Sequence, residues 1–176
     1  TSDADIPEDV QAKAKKTIKN AINGVNEVIS DYKSGKLKKF SGKTEEETLE
    51  LLAMQKLNET RNIVGKLISS SVSEENNAII MSRAGKGNIL NLAQTSVLVG
   101  QQALRGKRVE RGYKNRTLSL FEEGDRSPES RGFVRHSYRN GLNPVEFFFH
   151  AMTGRDSLMD TALRTPKSGY LYRRLA

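Results

Sequence analysis

Side chains that could do chemistry are thinly spread along these 176 residues. Asp3 and Asp5 flank Ala4. Closely spaced aspartates can share a divalent cation, but a cage needs more oxygen donors and a turn that gathers them. Neither follows here, and the pair suits the charges that favour a helix start. His136 and His150 stand in a chain without cysteine. With no companion donors nearby, each is expected to be a structural histidine rather than a metal ligand. Lys86 lies between Gly85 and Gly87. A phosphate-cradling loop needs a four-residue spacer, a following Lys-Ser/Thr and a preceding strand, so a simple turn is expected. No acid–base pair and no activated nucleophile stands out, and no catalytic residue is assigned. The remaining candidates are polar. Gln101 and Gln102 are adjacent amides suited to hydrogen bonds at a helix end. Arg155 and Asp156 fall one turn beyond His150 and could form a local salt bridge, of little energetic weight if exposed. Arg164, Lys167, Arg173 and Arg174 can bind phosphates or carboxylates, and Thr165 sets a small hydroxyl beside Pro166.

Helices must position these residues. From Glu8 to about Lys33, Ala14, Ile18, Ile22, Val25, Ile29 and Tyr32 recur at steps of four and three, a heptad seam. Ser34 to Gly42 is a lysine-rich connector with the composition of a solvated tip. Thr44-Glu45-Glu46-Glu47 is a capping box, and Leu49, Ala53, Leu57, Thr60, Val64 and Leu67 repeat the seam toward Ser69. Two such helices joined by a short polar loop predict an antiparallel hairpin. Ser73-Glu74-Glu75 is expected to cap a short helix through Met81, and Asn91 to Gln102 to form another, with Leu92, Ser96 and Val99 on one face. Residues 107–140 are rich in Gly, Pro, Ser and Asn and predict loops with a short strand pair. Gly141–Ala176 opens with Asn143 as cap, Pro144 at the first helical position and Glu146 placed to reach back. Phe148, Met152, Leu158/Met159, Ala162/Leu163, Tyr170/Leu171 and Leu175 keep helical spacing. Pro166 costs a helix about 3 kcal/mol and Gly169 about 1 kcal/mol. Periodicity alone therefore favours two helices broken near Pro166 over one helix of about 50 Å.

Apolar residues make up 36% and charged residues 28% of the chain, enough for one good core or two small ones. The lack of cysteine excludes a disulfide framework and fits a reducing compartment. No apolar run reaches the roughly 18 residues of a membrane span, and no signal peptide opens the chain; a soluble protein that is not exported is expected. The net charge of +8 is lopsided. Residues 1–100 hold 14 Lys/Arg against 13 Asp/Glu, and residues 101–176 hold 15 against 8. A basic second part is the footprint of phosphate partners, or of acidic neighbouring subunits.

Gly141–Met152 (GLNPVEFFFHAM), Gly154-Arg155, Asp160–Thr165 (DTALRT) and Ser168–Leu175 (SGYLYRRL) resemble the bridge helix of the largest subunit of cellular DNA-directed RNA polymerases. Arg83–Gln94 (RAGKGNILNLAQ), Val99–Gln102 (VGQQ), Gly106–Leu118 and Ser127–Pro144 resemble the pore region that precedes that helix. The likeness is nearly continuous from Asn76 to Ala176 and leans archaeal at Arg111–Leu118 (RGYKNRTL); the first 75 residues match by architecture. The chain departs from the family at Leu118-Ser119-Leu120-Phe121, at Thr153, Asp156 and Ser157, and at Pro166, where a small residue such as alanine is usual.

This resemblance implies a mainly α fold: an antiparallel helical hairpin, an irregular pore segment with short helices, and a long C-terminal bridge helix. Residues 1–83 would be the funnel hairpin lining the nucleotide-entry channel, 84–140 the pore, and 141–176 the bridge helix. Arg164, Thr165, Pro166 and Tyr170 would lie against template DNA, and Gln101, Gln102, His150, Arg155 and Asp156 would support the mobile loop beside the active site. The complete enzyme would use Mg2+, which this chain, lacking the family's aspartate cluster, would not bind; alone it would be inactive. Implied partners are other polymerase subunits, template DNA, incoming nucleotides and a transcript-cleavage factor on the hairpin, with no membrane. Implied location is the cytoplasm for an archaeal-like enzyme and the nucleus for a eukaryotic one. The chain stops without a helix cap at Ala176, as a piece of a longer protein would. The alternative is a free-standing basic helical module that binds nucleic acid without catalysis, against which the 6% aromatic content counts.

Overall fold

A computed structural model describes residues 4–110 and 112–176. Asp3 of the aspartate pair and Arg111, which opens the Arg111–Leu118 motif, lie outside the described residues. The chain is mainly helical: α1 (Glu8–Lys33), α2 (Glu45–Ser71), α3 (Asn77–Arg83), α4 (Ile89–Ser96) and α5 (Pro144–Leu175). Four two-residue strands join them, β1 (Gly100–Gln101), β2 (Ala103–Leu104), β3 (Lys107–Arg108) and β4 (Phe133–Val134).

Helices α1 and α2 form the predicted hairpin. Their seams bury Ala14, Ile18, Val25 and Ile29 against Leu49, Ala53, Leu57 and Val64, with Ile22 and Tyr32 partly buried beside them. Ile68 rather than Leu67 closes the seam. Burial of Leu57 alone, with none of its surface exposed, is of the kind whose truncation to alanine costs about 2–5 kcal/mol. The capping box of α2 is complete: Glu47 N donates to Thr44 Oγ1 at 3.2 Å, and Thr44 N to Glu47 Oε2 at 3.0 Å. The core continues from the hairpin to Ile79 of α3, Leu92 and Ala93 of α4, Leu98 and Phe133.

Three local expectations are corrected. Helix α3 is capped by Asn76, whose Oδ1 accepts from Ala78 N at 2.9 Å, while Ser73 Oγ accepts from Glu75 N in the preceding turn. Helix α4 starts at Asn88, whose Oδ1 takes Leu90 N, and ends at Ser96 instead of running to Gln102. The buried run Leu98-Val99 favours extended pairing, and Gly100 at φ +92° leaves the helical region, so Gly100 and Gln101 pair with Val134 and Phe133. A second strand pair, the β2–β3 hairpin, borders the irregular stretch, so β3 and β4 pair with strands that precede residue 107 and not with each other. The hairpin's two-residue loop places Arg105 at φ 50° and Gly106 at φ 83°, the positive values of a type I′ turn.

The C-terminal helix is continuous. Periodicity favours a break near Pro166, yet α5 runs through Gly154, Pro166 and Gly169 without interruption. Proline removes a single donor, that to the carbonyl of Ala162, and Ala162 is exposed, so water can serve the carbonyl that lost it. At 32 residues the helix is about 48 Å long.

Candidate functional site

The first turns of α5 are the only part of it that the body grips. Glu146, buried, is its main tether. Glu146 Oε1 accepts from Arg135 N at 3.0 Å; Oε2 accepts from Asn143 N at 3.0 Å and meets His136 Nδ1 at 2.7 Å. Sequence marks Glu146 as a cap; its second task, holding His136 and the backbone after β4, joins residues across an irregular segment and has no sequence signal. Phe149, 1% exposed, stacks on Phe121 with ring centroids 6.4 Å apart.

His150 follows on the neighbouring face. Its Nδ1 lies 3.2 Å from Gln102 Oε1 and its Nε2 3.3 Å from the hydroxyl of Tyr138, whose ring tilts over the imidazole. Desolvation around Tyr138 raises the pKa of its phenol, which therefore stays protonated. Gln102 is itself held: its backbone N donates to Gly132 O at 2.9 Å, extending the β1–β4 ladder, and its Nε2 faces Gly100 O at 3.4 Å. The adjacent Gln101 points elsewhere. Its Nε2 donates to the carbonyls of Gln102 and Arg131, each at 2.8 Å. Gln101 thus ends β1 and Gln102 follows it, and they bond to side chain and loop, not at a helix end. Tyr138 was not among the candidates; it lies twelve residues before His150 in a segment without periodicity.

Asp156 pairs not with its neighbour Arg155 but with Arg105 at the tip of the β2–β3 hairpin, 3.6 Å away. Arg155 is exposed. Among the described residues, no hydrogen bond or ion pair beyond it joins α5 to the body. From Ser157 to Ala176 every residue is exposed, including Leu158, Leu163, Leu171 and Leu175. Arg164, Thr165, Pro166 and Tyr170 all lie on this free half. Their contacts are within the helix: Arg164 Nε bonds Asp160 at 2.8 Å, and Arg174 lies 5.5 Å from the Tyr170 ring centroid. The site residues therefore form two groups, a root cluster of Gln102, His150 and Asp156 and a free arm that carries the basic residues.

A charged clamp fixes the hairpin beneath this root. Arg108, with its side chain fully buried, forks onto both oxygens of Glu50 at 2.7 and 2.8 Å. One turn earlier on α2, Glu46 takes Arg126 at 2.5 Å. The hydrogen bond and charge of Arg126 hold the Glu46 carboxyl below the usual carboxylate range. Burial pushes the pKa of Arg131 down; its Nε donates to Asp125 O at 3.2 Å.

Residues 28–134 match the family model for RNA polymerase Rpb1, domain 4, and residues 141–176 match that for RNA polymerase Rpb1, domain 5. The chain belongs to the family of the largest RNA polymerase subunit, Rpb1. It is 47% identical to the DNA-directed RNA polymerase subunit Rpo1N of Methanothermobacter thermautotrophicus over 99% of this chain and 20% of that protein. It is 48% identical to Rpo1N of Halococcus morrhuae over 98% of this chain and 50% of that protein. For Rpo1N of Sulfolobus acidocaldarius the identity is 43%, over 98% of this chain and 20% of that protein. The chain thus spans a fifth to a half of the length of these relatives.

Among the described residues of this Rpb1-family chain, no three His, Cys, Asp or Glu side chains converge on a point where they could hold a metal ion. Asp5 is ion-paired with Arg139. These donors do not fit the magnesium expected of a polymerase, and no step through that metal is assigned to them. No helix among the described residues is long and apolar enough to cross a membrane.

Proposed function

We propose that this chain is the part of the polymerase largest subunit that lines the nucleotide-entry channel and reaches across the active-site cleft. Residues 1–83 would be the funnel hairpin, where a transcript-cleavage factor docks, 84–140 the pore, and 141–176 the bridge helix. The observation that carries this reading is α5, a single helix held only over its first turns. Its second half exposes leucines, tyrosines and cations on all faces, and a helix with such a surface is made to be covered by other surfaces. Thr165, at the middle of that free half, offers a small side chain that can pack on a template base pair without reading its identity. Arg164, Pro166 and Tyr170 would flank it along the template, and Gln101, Gln102, His150, Arg155 and Asp156 would support the pore. Nucleotidyl transfer with Mg2+ belongs to the complete enzyme, with other subunits, template DNA and incoming nucleotides as partners; in an archaeal cell its place would be the cytoplasm. The chain alone would be inactive.

Thr165→Trp in the assembled polymerase tests this. A bulky ring at the template face should slow elongation at saturating nucleotide by at least about tenfold, equal to about 1.4 kcal/mol in the barrier, while the subunits still assemble. Elongation at the parent rate would contradict it.

A further inference from the structure

We infer that Tyr138 is a positioning residue: its hydroxyl donates to the bare Nε2 of His150, whose tautomer the amide of Gln102 sets, and so holds that ring at the root of α5. The polarity of the chain follows from its far end. The NH2 group of Gln102 faces the carbonyl of Gly100 at 3.4 Å, so the amide oxygen is the atom turned to His150. An oxygen there needs a donor, which places the proton of a neutral imidazole on Nδ1 and leaves Nε2 as an acceptor. Among the described residues, the group that meets Nε2 is the Tyr138 hydroxyl, at 3.3 Å, and facing an acceptor it must donate. One direction of hydrogen bonding then runs from Tyr138 through His150 and Gln102 to Gly100, and bonds aligned in this way strengthen one another.

Tyr138 is itself anchored. Its backbone N donates to Gln94 O at 3.2 Å and that of Arg139 to Thr95 O at 3.0 Å, so the turn carrying it is fastened to the last carbonyls of α4. The chain therefore ties α4, α5 and the end of β1 together through one ring held at both nitrogens. Because, among the described residues, no hydrogen bond or ion pair joins α5 to the body beyond Asp156, the angle at which the free half of α5 leaves the body depends on this grip. That consequence in transcription rests on the bridge-helix reading; the tautomer does not.

The chain has only two histidines, so 15N-histidine labelling of the full 176-residue chain yields four ring nitrogens. His136, with Nδ1 against Glu146, is the internal control. In the parent, His150 should carry its proton on Nδ1, with Nε2 bare and displaced by an accepted hydrogen bond. Tyr138→Phe keeps the ring and removes the donor. It should move the Nε2 signal toward that of a bare nitrogen without a hydrogen bond, while the proton stays on Nδ1 against Gln102, and leave His136 unchanged. An Nε2-protonated His150 in the parent, or unmoved His150 nitrogens in Tyr138→Phe, would overturn the inference. Should Tyr138→Phe erase the His136 signature through unfolding, replacing the tyrosines with the more acidic 3-fluorotyrosine must move the His150 Nε2 signal; a stationary signal there overturns it equally. None of these readouts requires a polymerase, so their failure is distinct from that of the bridge-helix reading, which Thr165→Trp decides.

Discussion

Arg108 and Glu50 show how a single charge can decide whether two parts of the chain stay joined. The guanidinium is wholly buried while Glu50 is 20% exposed, so the carboxylate is what makes the buried cation tolerable. Glu50→Ala leaves Arg108 buried without its carboxylate and should lower stability by about 3–5 kcal/mol, read from the urea midpoint; replacing both partners with methionine should cost far less. A loss within 1 kcal/mol for Glu50→Ala would mean the pair is not desolvated as described. Local pairs of this chain were legible in its residues, long-range ones were not. Thr44 with Glu47 and Asn143 with Glu146 are i, i+3 relations that a helix start imposes on any sequence. Arg108 and Glu50 are 58 residues apart, and His150 finds Tyr138 across a turn of no regular period; such contacts exist only once the loops are folded.

The elements divide in the same way. The α1–α2 hairpin was readable, its closing residue Ile68 apart, because two heptad seams of similar length admit one way of burying each other. Helix α4 was overrun in the sequence because Leu98 and Val99 continue an apolar pattern that fits helix and strand alike, and β4 settled the choice. Helix α5 was readable as helix but not as continuous. Propensity counts what Pro166 loses and not the bonds that the rest of the helix keeps on either side. The one lost bond leaves a testable weakness. Pro166→Ala restores a donor to the Ala162 carbonyl and should strengthen this turn by up to about 3 kcal/mol, slowing amide exchange over residues 163–170 by roughly a hundredfold. In the assembled enzyme the stiffer helix should also change elongation rate or pausing. Slower exchange with unchanged elongation and pausing, across nucleotide concentrations, would reduce Pro166 to a tolerated defect with no part in translocation.

At the scale of the whole molecule, a compact body holds one end of a long basic arm. Residues 101–176, which hold most of the net charge of +8, include that arm, and its exposed side chains make sense beside nucleic acid and neighbouring subunits. Charge and composition alone left phosphate partners and acidic subunits equally open, because both answer a cationic surface. The order of motifs narrowed this to one family. The central claim is that the middle of the free half of α5 touches the template base being copied. A photoreactive amino acid in place of Thr165, in a polymerase halted at successive template positions, measures this directly. Crosslinks should form to the template base that pairs with the incoming nucleotide and advance by one base with each nucleotide added. Crosslinks that fall only on protein, or that stay on one base as the enzyme moves, would contradict it.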